Sequence, residues 1–288
     1  MTPANVSLVA VRDVENLRRR IKGWRREGLT VALVPTMGAL HKGHITLMER
    51  AKKMADRVVA TIFVNPRQFG PNEDLAAYPR RENEDYEMLN AAGVHLLFAP
   101  DVAAMYPANF ATSIQIAGIG EQLDGAHRPG HFNGVATVVT KLLLQALPDI
   151  ALFGEKDYQQ LAVIRRLVAD LNIPVDIIGV ETVREADGLA LSSRNAYLSA
   201  EERAKAPALN AAINAAAKAI AKGESIAAAT AAAREQILAA GFAKVDYVEA
   251  RHAETLAPLG SNAEPGRVLA AAHMGRARLI DNVAIAKA

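Results

Sequence analysis

The chain has 288 residues, enough to bury a sizeable core and, at about 150 residues per domain, to form two domains. Hydrophobic residues make up 51% of the chain and charged residues 22%, a composition that excludes wholesale disorder. The 33 Lys and Arg residues nearly balance the 31 Asp and Glu residues, and a net charge of +2 gives no compositional support for nucleic-acid or membrane-surface binding.

The chain contains no cysteine, which excludes disulfide bonds, thiolate catalysis, zinc ribbons and iron–sulfur clusters. Residues Met1–Ala10 lack the basic segment and long apolar stretch of a secretory signal peptide. The longest uncharged run, Val102–Gly120, is interrupted by proline and polar residues, which predicts a loop and a strand instead of a membrane span. We therefore expect a cytoplasmic protein without a membrane segment.

Short apolar runs alternate with segments of helical periodicity through the first two thirds of the chain. The predicted strands are Thr30–Pro35, Arg57–Val64, Val94–Ala99, Ile150–Phe153 and Pro174–Thr182. The predicted helices between them are Ile45–Ala55, Glu82–Ala92, Asn133–Ala146 and Asp157–Leu171. Near-continuous apolar strands separated by helices predict an α/β fold with a doubly wound parallel sheet, covered by helices on both faces.

The character of the sequence changes after about Arg184. Ser199 and Glu202 have the spacing of a capping box, and two Ala-rich helices follow that end near Gly223 and Gly241. Three alternating segments then predict strands, at Lys244–Arg251, Arg267–His273 and Arg278–Asn282. The sequence therefore predicts two domains, residues 1–184 with the parallel sheet and residues 185–288 as a smaller α+β domain.

Two histidines, His41 and His44, follow the first predicted strand in a segment rich in small residues. Their spacing of three at the start of a helix places both on one face. Ligands of open α/β sheets bind at the carboxyl ends of strands, and the first amides of a helix attract anions. Two imidazoles there could donate to phosphate oxygens as charge develops. The alternative is a glycine-rich turn with exposed histidines, but the His-x-Gly-His pattern at a strand–helix junction favours a phosphate site.

Polar residues also follow three later predicted elements. Asn65 and Gln68 carry amides that suit a substrate with hydroxyls and a carboxylate, or they form a plain Asn-Pro turn. Lys156 could neutralise a phosphate and Asp157 could bind a ribose hydroxyl or a metal, or the pair is a surface lysine beside a helix cap. The segment Ser192–Arg194 offers hydroxyls and a guanidinium to phosphate oxygens, or it is a solvated linker.

The segment Pro35–His44 (PTMGALHKGH) resembles the HxGH signature of nucleotidyltransferases, and more specifically that of the pantoate–β-alanine ligase family. Four further segments resemble this family in the same order: Phe63–Phe69, Arg128–Val135, Phe153–Gln160 and Leu191–Asn195. The resemblance implies a Rossmann-like sheet with a smaller C-terminal domain that closes over the active site. It also implies ATP-dependent condensation of pantoate with β-alanine through a pantoyl adenylate, with release of AMP and pyrophosphate.

The resemblance further implies Mg²⁺ with ATP, small-molecule substrates and a homodimer, and the near-neutral charge predicts no nucleic-acid partner. By this resemblance His44, His41 and Lys156 are expected to be catalytic. The ATP-binding residues are expected to be Met37, Gly38, Ala39, Leu40, His41, Lys42, Gly43, His44, Gly154, Glu155, Lys156, Asp157, Val183, Leu191, Ser192, Ser193 and Arg194. The substrate-binding residues are expected to be Pro35, Thr36, Asn65, Gln68, His131 and Gln160.

The resemblance leaves the metal ligands unassigned. Tyr78–Arg80 resembles a mobile gate of the family, and the carboxylates that follow resemble an acidic patch near magnesium; these are Glu82, Glu84 and Asp85. Acidic residues are also ordinary in the first turn of a helix, which explains them without a metal.

Two other functions remain open from the sequence. An adenylyltransferase with a phosphorylated acceptor would share the same core but make no amide, whereas Asn65, Gln68 and Gln160 favour a small hydroxy acid as acceptor. An RNA-binding protein related to class I synthetases would need a basic face, and the near-neutral charge argues against one.

Overall fold

A computed structural model describes residues 8–71, 73–261 and 263–286. These residues form a six-stranded sheet whose pairings are all parallel, and a separate three-stranded antiparallel sheet. The first sheet has the order β1-β4-β3-β2-β5-β6. Its strands are β1 (Val9–Val11), β2 (Val31–Thr36), β3 (Arg57–Ile62), β4 (Leu96–Phe98), β5 (Ile150–Gly154) and β6 (Asp176–Val180). The predicted α/β class is confirmed.

Alternating apolar residues of the central strands face two separate clusters of helices. In β2, Val31 and Leu33 pack toward α1, α6 and α7, whereas Ala32 and Val34 pack toward α2 and α3. The helices are α1 (Val14–Arg26), α2 (Lys42–Lys52), α3 (Glu82–Ala91), α4 (Val102–Met105), α5 (Asp124–His127), α6 (His131–Ala146) and α7 (Tyr158–Asp170). Because helices cover both faces of the sheet, its central strands consist of nearly continuous apolar residues, as the sequence indicates.

The direction of the strand order reverses between β2 and β5, which pair through Ala32 and Leu33. From β2 the chain proceeds to β3 on one side, and from β5 it proceeds to β6 on the other. The loops that leave two such strands separate, and this opens a crevice at their carboxyl ends. The Pro35–His44 segment and the segment after Phe153 therefore meet at that crevice.

The second sheet is formed by the last three strands and is covered by Ala-rich helices. Its elements are α8 (Ala200–Lys205), α9 (Ala208–Ala221), α10 (Ile226–Ala239), β7 (Lys244–His252), β8 (Gly266–Met274) and β9 (Ala277–Ile285). Val268 and Ala270 of β8 face α9 and α10, while Leu269 packs on the other side with Ala162 of α7. The smaller C-terminal α+β unit is confirmed. Its boundary at 184/185 stays a prediction, which the membership of Leu189 in the second core supports.

The structure corrects two expectations about short segments. Within Val102–Gly120 the chain forms a helical turn capped by Asp101 and then no strand, so the predicted strand is wrong. There the amide of Ile114 donates to the Thr137 hydroxyl at 3.0 Å, where a strand would use a backbone carbonyl. The sequence also gave no signal for β1, which has three residues and pairs with β4 at the sheet edge.

None of the helices among the described residues combines the length and the apolarity that crossing a bilayer requires. The prediction about a signal peptide rests mainly on residues 1–7, which lie outside the described part of the chain.

Several basic residues between Arg18 and Arg26 lie on α1. Arg25 pairs with Asp149 at 2.6 Å, and Arg19 pairs with Glu15 at 2.7 Å.

One glycine decides how closely α6 approaches the turn after β3. A Cβ at Gly134 would lie 2.2 Å from the Arg67 oxygen and 2.6 Å from the Gln68 nitrogen, both backbone atoms. We predict that Gly134→Ala lowers the free energy of unfolding by about 1–3 kcal/mol, because neither segment can move without repacking. Urea denaturation followed by circular dichroism measures this change.

The matched control for this prediction is Gly23→Ala in α1. A Cβ at Gly23 would meet nothing within 4 Å, and alanine in place of glycine in a helix adds about 0.5–1 kcal/mol. A Gly134→Ala protein at least as stable as the parent would contradict the close approach.

Candidate active site

Loops from distant parts of the chain line one cavity of about 230 Å³ at the carboxyl ends of β2, β3, β5 and β6. The structure brings 18 of the sequence-predicted site residues to its wall. They are Pro35, Thr36, Met37, His41, Gly43, His44, Asn65, Gln68, His131, Gly154, Lys156, Asp157, Gln160, Val183, Leu191, Ser192, Ser193 and Arg194. Their roles stay predictions, but their convergence follows from the strand order.

The two histidines cap α2 reciprocally. Nδ1 of His41 accepts the Gly43 amide at 3.1 Å, and Nδ1 of His44 accepts the His41 amide at 3.3 Å. A nitrogen that accepts a backbone amide carries no proton, so each neutral imidazole has its hydrogen on Nε2. The rings lie 4.1 Å apart between centroids, and both line the cavity. The capping geometry therefore presents two N–H donors side by side.

Both imidazoles are neutral at neutral pH. Burial and the nearby charge of Lys156 lower the pKa of His41 to about 4. Burial and the proximity of His41 lower the pKa of His44 to about 3. The histidines thus supply hydrogen bonds without charge, while Lys156 supplies the positive charge on the same wall.

The segment between β2 and α2 is fastened to α3 by a buried carboxylate. The Asp85 oxygens accept the amides of Ala39 and Leu40 at 2.8 and 2.7 Å, and burial raises the pKa of Asp85. Gly38 and Ala39 both have positive φ, and a Cβ at Gly38 would come within 2.9 Å of Asp85. The amides of Ala39 and Leu40 are therefore directed away from the cavity.

Five residues expected to bind ATP lie off the cavity wall: Gly38, Ala39, Leu40, Lys42 and Glu155. The first three belong to the segment held by Asp85. Lys42 is exposed at the start of α2, and Glu155 pairs with Arg267 of the second sheet at 3.3 Å. These residues lie in the loops around the cavity, and their assignment to ATP stays a prediction.

Asn65 fixes the orientation of the Gln68 amide. Asn65 Nδ2 lies 3.1 Å from the Gly134 carbonyl oxygen, which can only accept. Asn65 Oδ1 lies 3.3 Å from the Arg67 amide nitrogen, which can only donate. The second Nδ2 hydrogen of Asn65 therefore donates to Gln68 Oε1 at 3.0 Å. Gln68 Nε2 donates one hydrogen to Met37 Sδ at 3.0 Å, which leaves its second hydrogen for the cavity.

His131 holds the same glutamine through its backbone. Its Nδ1 hydrogen donates to the Gln68 carbonyl at 2.8 Å, and its Nε2 accepts from Arg128 Nη1 at 3.0 Å. Burial lowers the pKa of His131 to about 4, so the ring is neutral. Arg128 in turn pairs with Glu73 at 2.6 Å. Asn65 and His131, expected to bind substrate, thus have their polar atoms satisfied by the protein and position Gln68.

Sequence reasoning did not identify the supporting role of three residues behind this wall. Tyr106 donates to Asn65 Oδ1 at 2.8 Å, Arg128 orders His131, and Asp85 holds the loop before α2. Arg128 lies inside a quoted motif, and Asp85 stood among the acidic residues near a gate. Tyr106 lies in the segment predicted as loop and strand, and no local pattern marks it.

Lys156 and Asp157 lie in a 3₁₀ turn between β5 and α7. The Asp157 side chain makes no cap hydrogen bond, which excludes the simple helix-cap alternative. Lys156 Nζ lies 3.8 Å from Asp157 Oδ2, and the lysine side chain is only 19% exposed. The pair therefore offers a cation and a half-exposed carboxylate to the cavity.

The segment Ser192–Arg194 is anchored across the cavity. Ser193 Oγ donates to the Ala39 carbonyl at 3.1 Å, and Arg194 donates to both oxygens of Asp74 at 3.1 and 3.2 Å. Val183 lies beside it, since its carbonyl accepts the Leu191 amide at 3.0 Å. These contacts exclude the solvated-linker alternative and place the hydroxyls and guanidinium next to the other walls.

Comparison with known proteins gives one consistent result. The model of the pantoate-beta-alanine ligase family matches residues 9–284. The chain is 59% identical to the pantothenate synthetase of Paramagnetospirillum magneticum, over 96% of this chain and 97% of that protein. It is 58% identical to the pantothenate synthetase of Rhizorhabdus wittichii, over 96% of this chain and 98% of that protein.

Two solved structures are similar over nearly the whole chain. The pantothenate synthetase of Thermus thermophilus has a TM-score of 0.89 at 49% identity and covers 96% of this chain and 99% of its own. The pantoate-beta-alanine ligase of Francisella tularensis, complexed with beta-gamma ATP and β-alanine, has a TM-score of 0.80 at 33% identity, with 96% and 98% covered. The chain therefore belongs to the pantoate–β-alanine ligase family.

Proposed function

We propose that this chain condenses pantoate with β-alanine through a pantoyl adenylate, using ATP and releasing AMP and pyrophosphate. The observation that carries the proposal is the shared cavity: two uncharged imidazole donors, a lysine and two glutamines line the same space. Membership of the family supports it. The Francisella relative, complexed with beta-gamma ATP and β-alanine, supports the proposed ligands.

The first step needs positioning and charge stabilisation more than covalent chemistry by the protein. A pantoate carboxylate oxygen forms a bond to the α-phosphorus of ATP, and the bond from that phosphorus to the bridging oxygen breaks. Pyrophosphate leaves with the electron pair. Lys156 balances the growing negative charge, and the Nε2 hydrogens of His41 and His44 donate to the phosphate oxygens.

Pantoate carries a carboxylate and two hydroxyls, all of which can accept hydrogen bonds. Gln68 presents an Nε2 hydrogen to the cavity, because Asn65 occupies its Oε1 and Met37 Sδ accepts the other hydrogen. Gln160 of α7 lines the same space one helical turn after Lys156. We assign pantoate to the two glutamines because both are neutral and need no charged partner of their own.

The second step forms the amide. The β-alanine nitrogen, in its neutral form, attacks the acyl carbon; the C–N bond forms, and the bond from that carbon to the AMP oxygen breaks. AMP leaves with the electron pair, and the nitrogen loses a proton to water. The absence of cysteine from the chain is consistent with this route, which passes through no thioester.

Magnesium fits this site as a partner of ATP more than as a bound metal of the protein. Among the described residues there is no group of three or more potential metal ligands. Mg²⁺ commonly binds through substrate phosphates, waters and one or two carboxylates. Asp157 is the carboxylate we assign, because it lines the cavity beside Lys156, the expected phosphate ligand, whereas Asp85 already accepts two amides. When bound, the ion would neutralise phosphate charge.

Three further properties are proposed on family membership: a homodimer, a cytoplasmic location and the absence of a nucleic-acid partner. The net charge of +2 is consistent with the last. The function itself is tested by pyrophosphate release with ATP and pantoate, followed by AMP formation when β-alanine is added. A dinucleotide product would indicate an adenylyltransferase instead.

We predict that His44→Ala lowers the rate of pantoate-dependent pyrophosphate release by on the order of 10²–10³, because a donor to the transition state is lost. The coupled pyrophosphate assay under saturating substrates measures this rate. Arg50→Ala is the matched control, since Arg50 is exposed on the same helix and off the cavity wall. Near-normal release by His44→Ala would remove the histidine from the mechanism.

We predict that Asn65→Asp raises the KM for pantoate roughly 10- to 100-fold, because a carboxylate cannot donate to the Gly134 carbonyl or to Gln68 Oε1. Each buried acceptor that is left without a donor costs about 1–3 kcal/mol. The KM for ATP stays within about twofold of the parent if the effect passes through Gln68. Initial rates at varied pantoate and varied ATP separate the two constants.

The control is Asn90→Asp, whose Oδ1 accepts the Leu8 amide at 3.0 Å outside the cavity and can do so as a carboxylate. An equal rise in both Michaelis constants for Asn65→Asp would show a general loss of structure instead of a loss of Gln68 orientation.

A further inference from the structure

A buried asparagine of the second sheet holds the turn that carries Lys156. Asn282 on β9 is 3% exposed, and its Nδ2 donates to two consecutive carbonyls, those of Glu155 at 2.8 Å and Lys156 at 3.0 Å. The two carbonyls belong to the peptide groups on either side of the Lys156 Cα. Asn282 of the second sheet therefore holds the backbone of the turn after β5, from which the Lys156 side chain extends.

The orientation of this amide is determined by its neighbours. Arg267 Nη1 donates to Asn282 Oδ1, and a guanidinium can only donate. The Arg267 guanidinium lies 3.9 Å from the centre of the Tyr158 ring and pairs with Glu155 at 3.3 Å. Asn282 is thus locked with its donors toward the Lys156 turn, and Arg267 fixes the other end of the same turn.

The preceding residue of β9 holds the next cavity loop. Asp281 accepts both Arg184 nitrogens, at 2.7 and 2.8 Å, and Asn210 at 2.9 Å. Arg184 follows Val183, which lines the cavity after β6. Two consecutive residues of one strand therefore contact the loops that leave both β5 and β6.

The backbone contacts of the turn that carries Lys156 affect the position of its side chain as well as the stability of the fold. Lys156 is long and flexible, and among the described residues the one carboxylate that pairs with its Nζ within 4 Å is Asp157, at 3.8 Å. The reach of Nζ into the cavity therefore depends on where the backbone of the turn is held. Reaction rates depend steeply on such placement, since a misplacement of about 1 Å can cost about 10²-fold.

We propose that Asn282 is a positioning residue for the reaction, which places Lys156 against the ATP phosphates from the second domain. The proposal rests on the proposed function, because it assigns Lys156 to ATP. It also gives the second sheet a part in phosphate chemistry through a side chain that lies off the cavity wall.

The test compares Asn282→Ala and the milder Asn282→Ser with the parent enzyme. We expect the kcat of pantoate-dependent pyrophosphate release to fall about 10- to 100-fold in Asn282→Ala, while the KM for pantoate stays within about twofold. Asp246→Asn is the matched control, because the Asp246 side chain on β7 is buried, contacts His273 and Arg278, and lies off the cavity wall. It should lower thermal stability and leave kcat unchanged.

A second measurement separates positioning from general damage. Titration calorimetry of ATP, which needs no turnover, is performed on the parent, Asn282→Ser, Lys156→Ala and the double variant. If Asn282 acts through Lys156, the Asn282→Ser substitution weakens ATP binding when it is made in the parent. The same substitution made in Lys156→Ala causes no further loss of ATP affinity. Additive losses would overturn the proposal, as would a parental kcat in both Asn282 variants.

The outcomes also distinguish this inference from the proposed function. A parent protein that releases no pyrophosphate with pantoate refutes the proposed function itself. A parent that releases it, with Asn282 variants that do so equally fast, refutes only the role of Asn282.

Discussion

Two hydrogen bonds at the start of α2 determine most of what this site can do. His41 and His44 each use Nδ1 to accept a backbone amide, and together they begin the helix. The same bonds leave the hydrogen of each ring on Nε2, and burial keeps both rings uncharged. One local arrangement therefore serves folding and function, because the cap that satisfies the helix also aims two neutral donors at the cavity.

The rest of the site follows the same principle: most buried polar side chains orient one another, and few of them face the cavity freely. Asn65 and His131 hold Gln68 by its side chain and its backbone. Asp85 ties down the loop before α2, and Asn282 ties down the turn of Lys156. A reaction that depends on placing three substrates and stabilising phosphate charge gains more from such rigidity than from additional reactive groups.

The sequence predicted the loops of the site and not the contacts between them. Apolar runs located the strands, and since parallel strands end at one edge, the motifs after them had to converge. The exact partner of each polar side chain depends on segments distant in the chain, as with Tyr106 on Asn65 or Asn282 on Lys156. No local pattern records such contacts. For the same reason the prediction for Val102–Gly120 failed, because its isoleucines pack singly on the core with no strand partner.

The chemistry of this site depends on His41 and His44 being neutral imidazoles with the hydrogen on Nε2. The most direct measurement is ¹⁵N nuclear magnetic resonance of the two rings, assigned with His41→Asn and His44→Asn, during a titration from pH 8 to the acid limit of the folded state. We expect an unprotonated Nδ1 and a protonated Nε2 in both rings, with no change until the pH falls toward about 4 for His41 and about 3 for His44. Protonation of either ring near pH 6.5, or a hydrogen on Nδ1, would contradict this expectation.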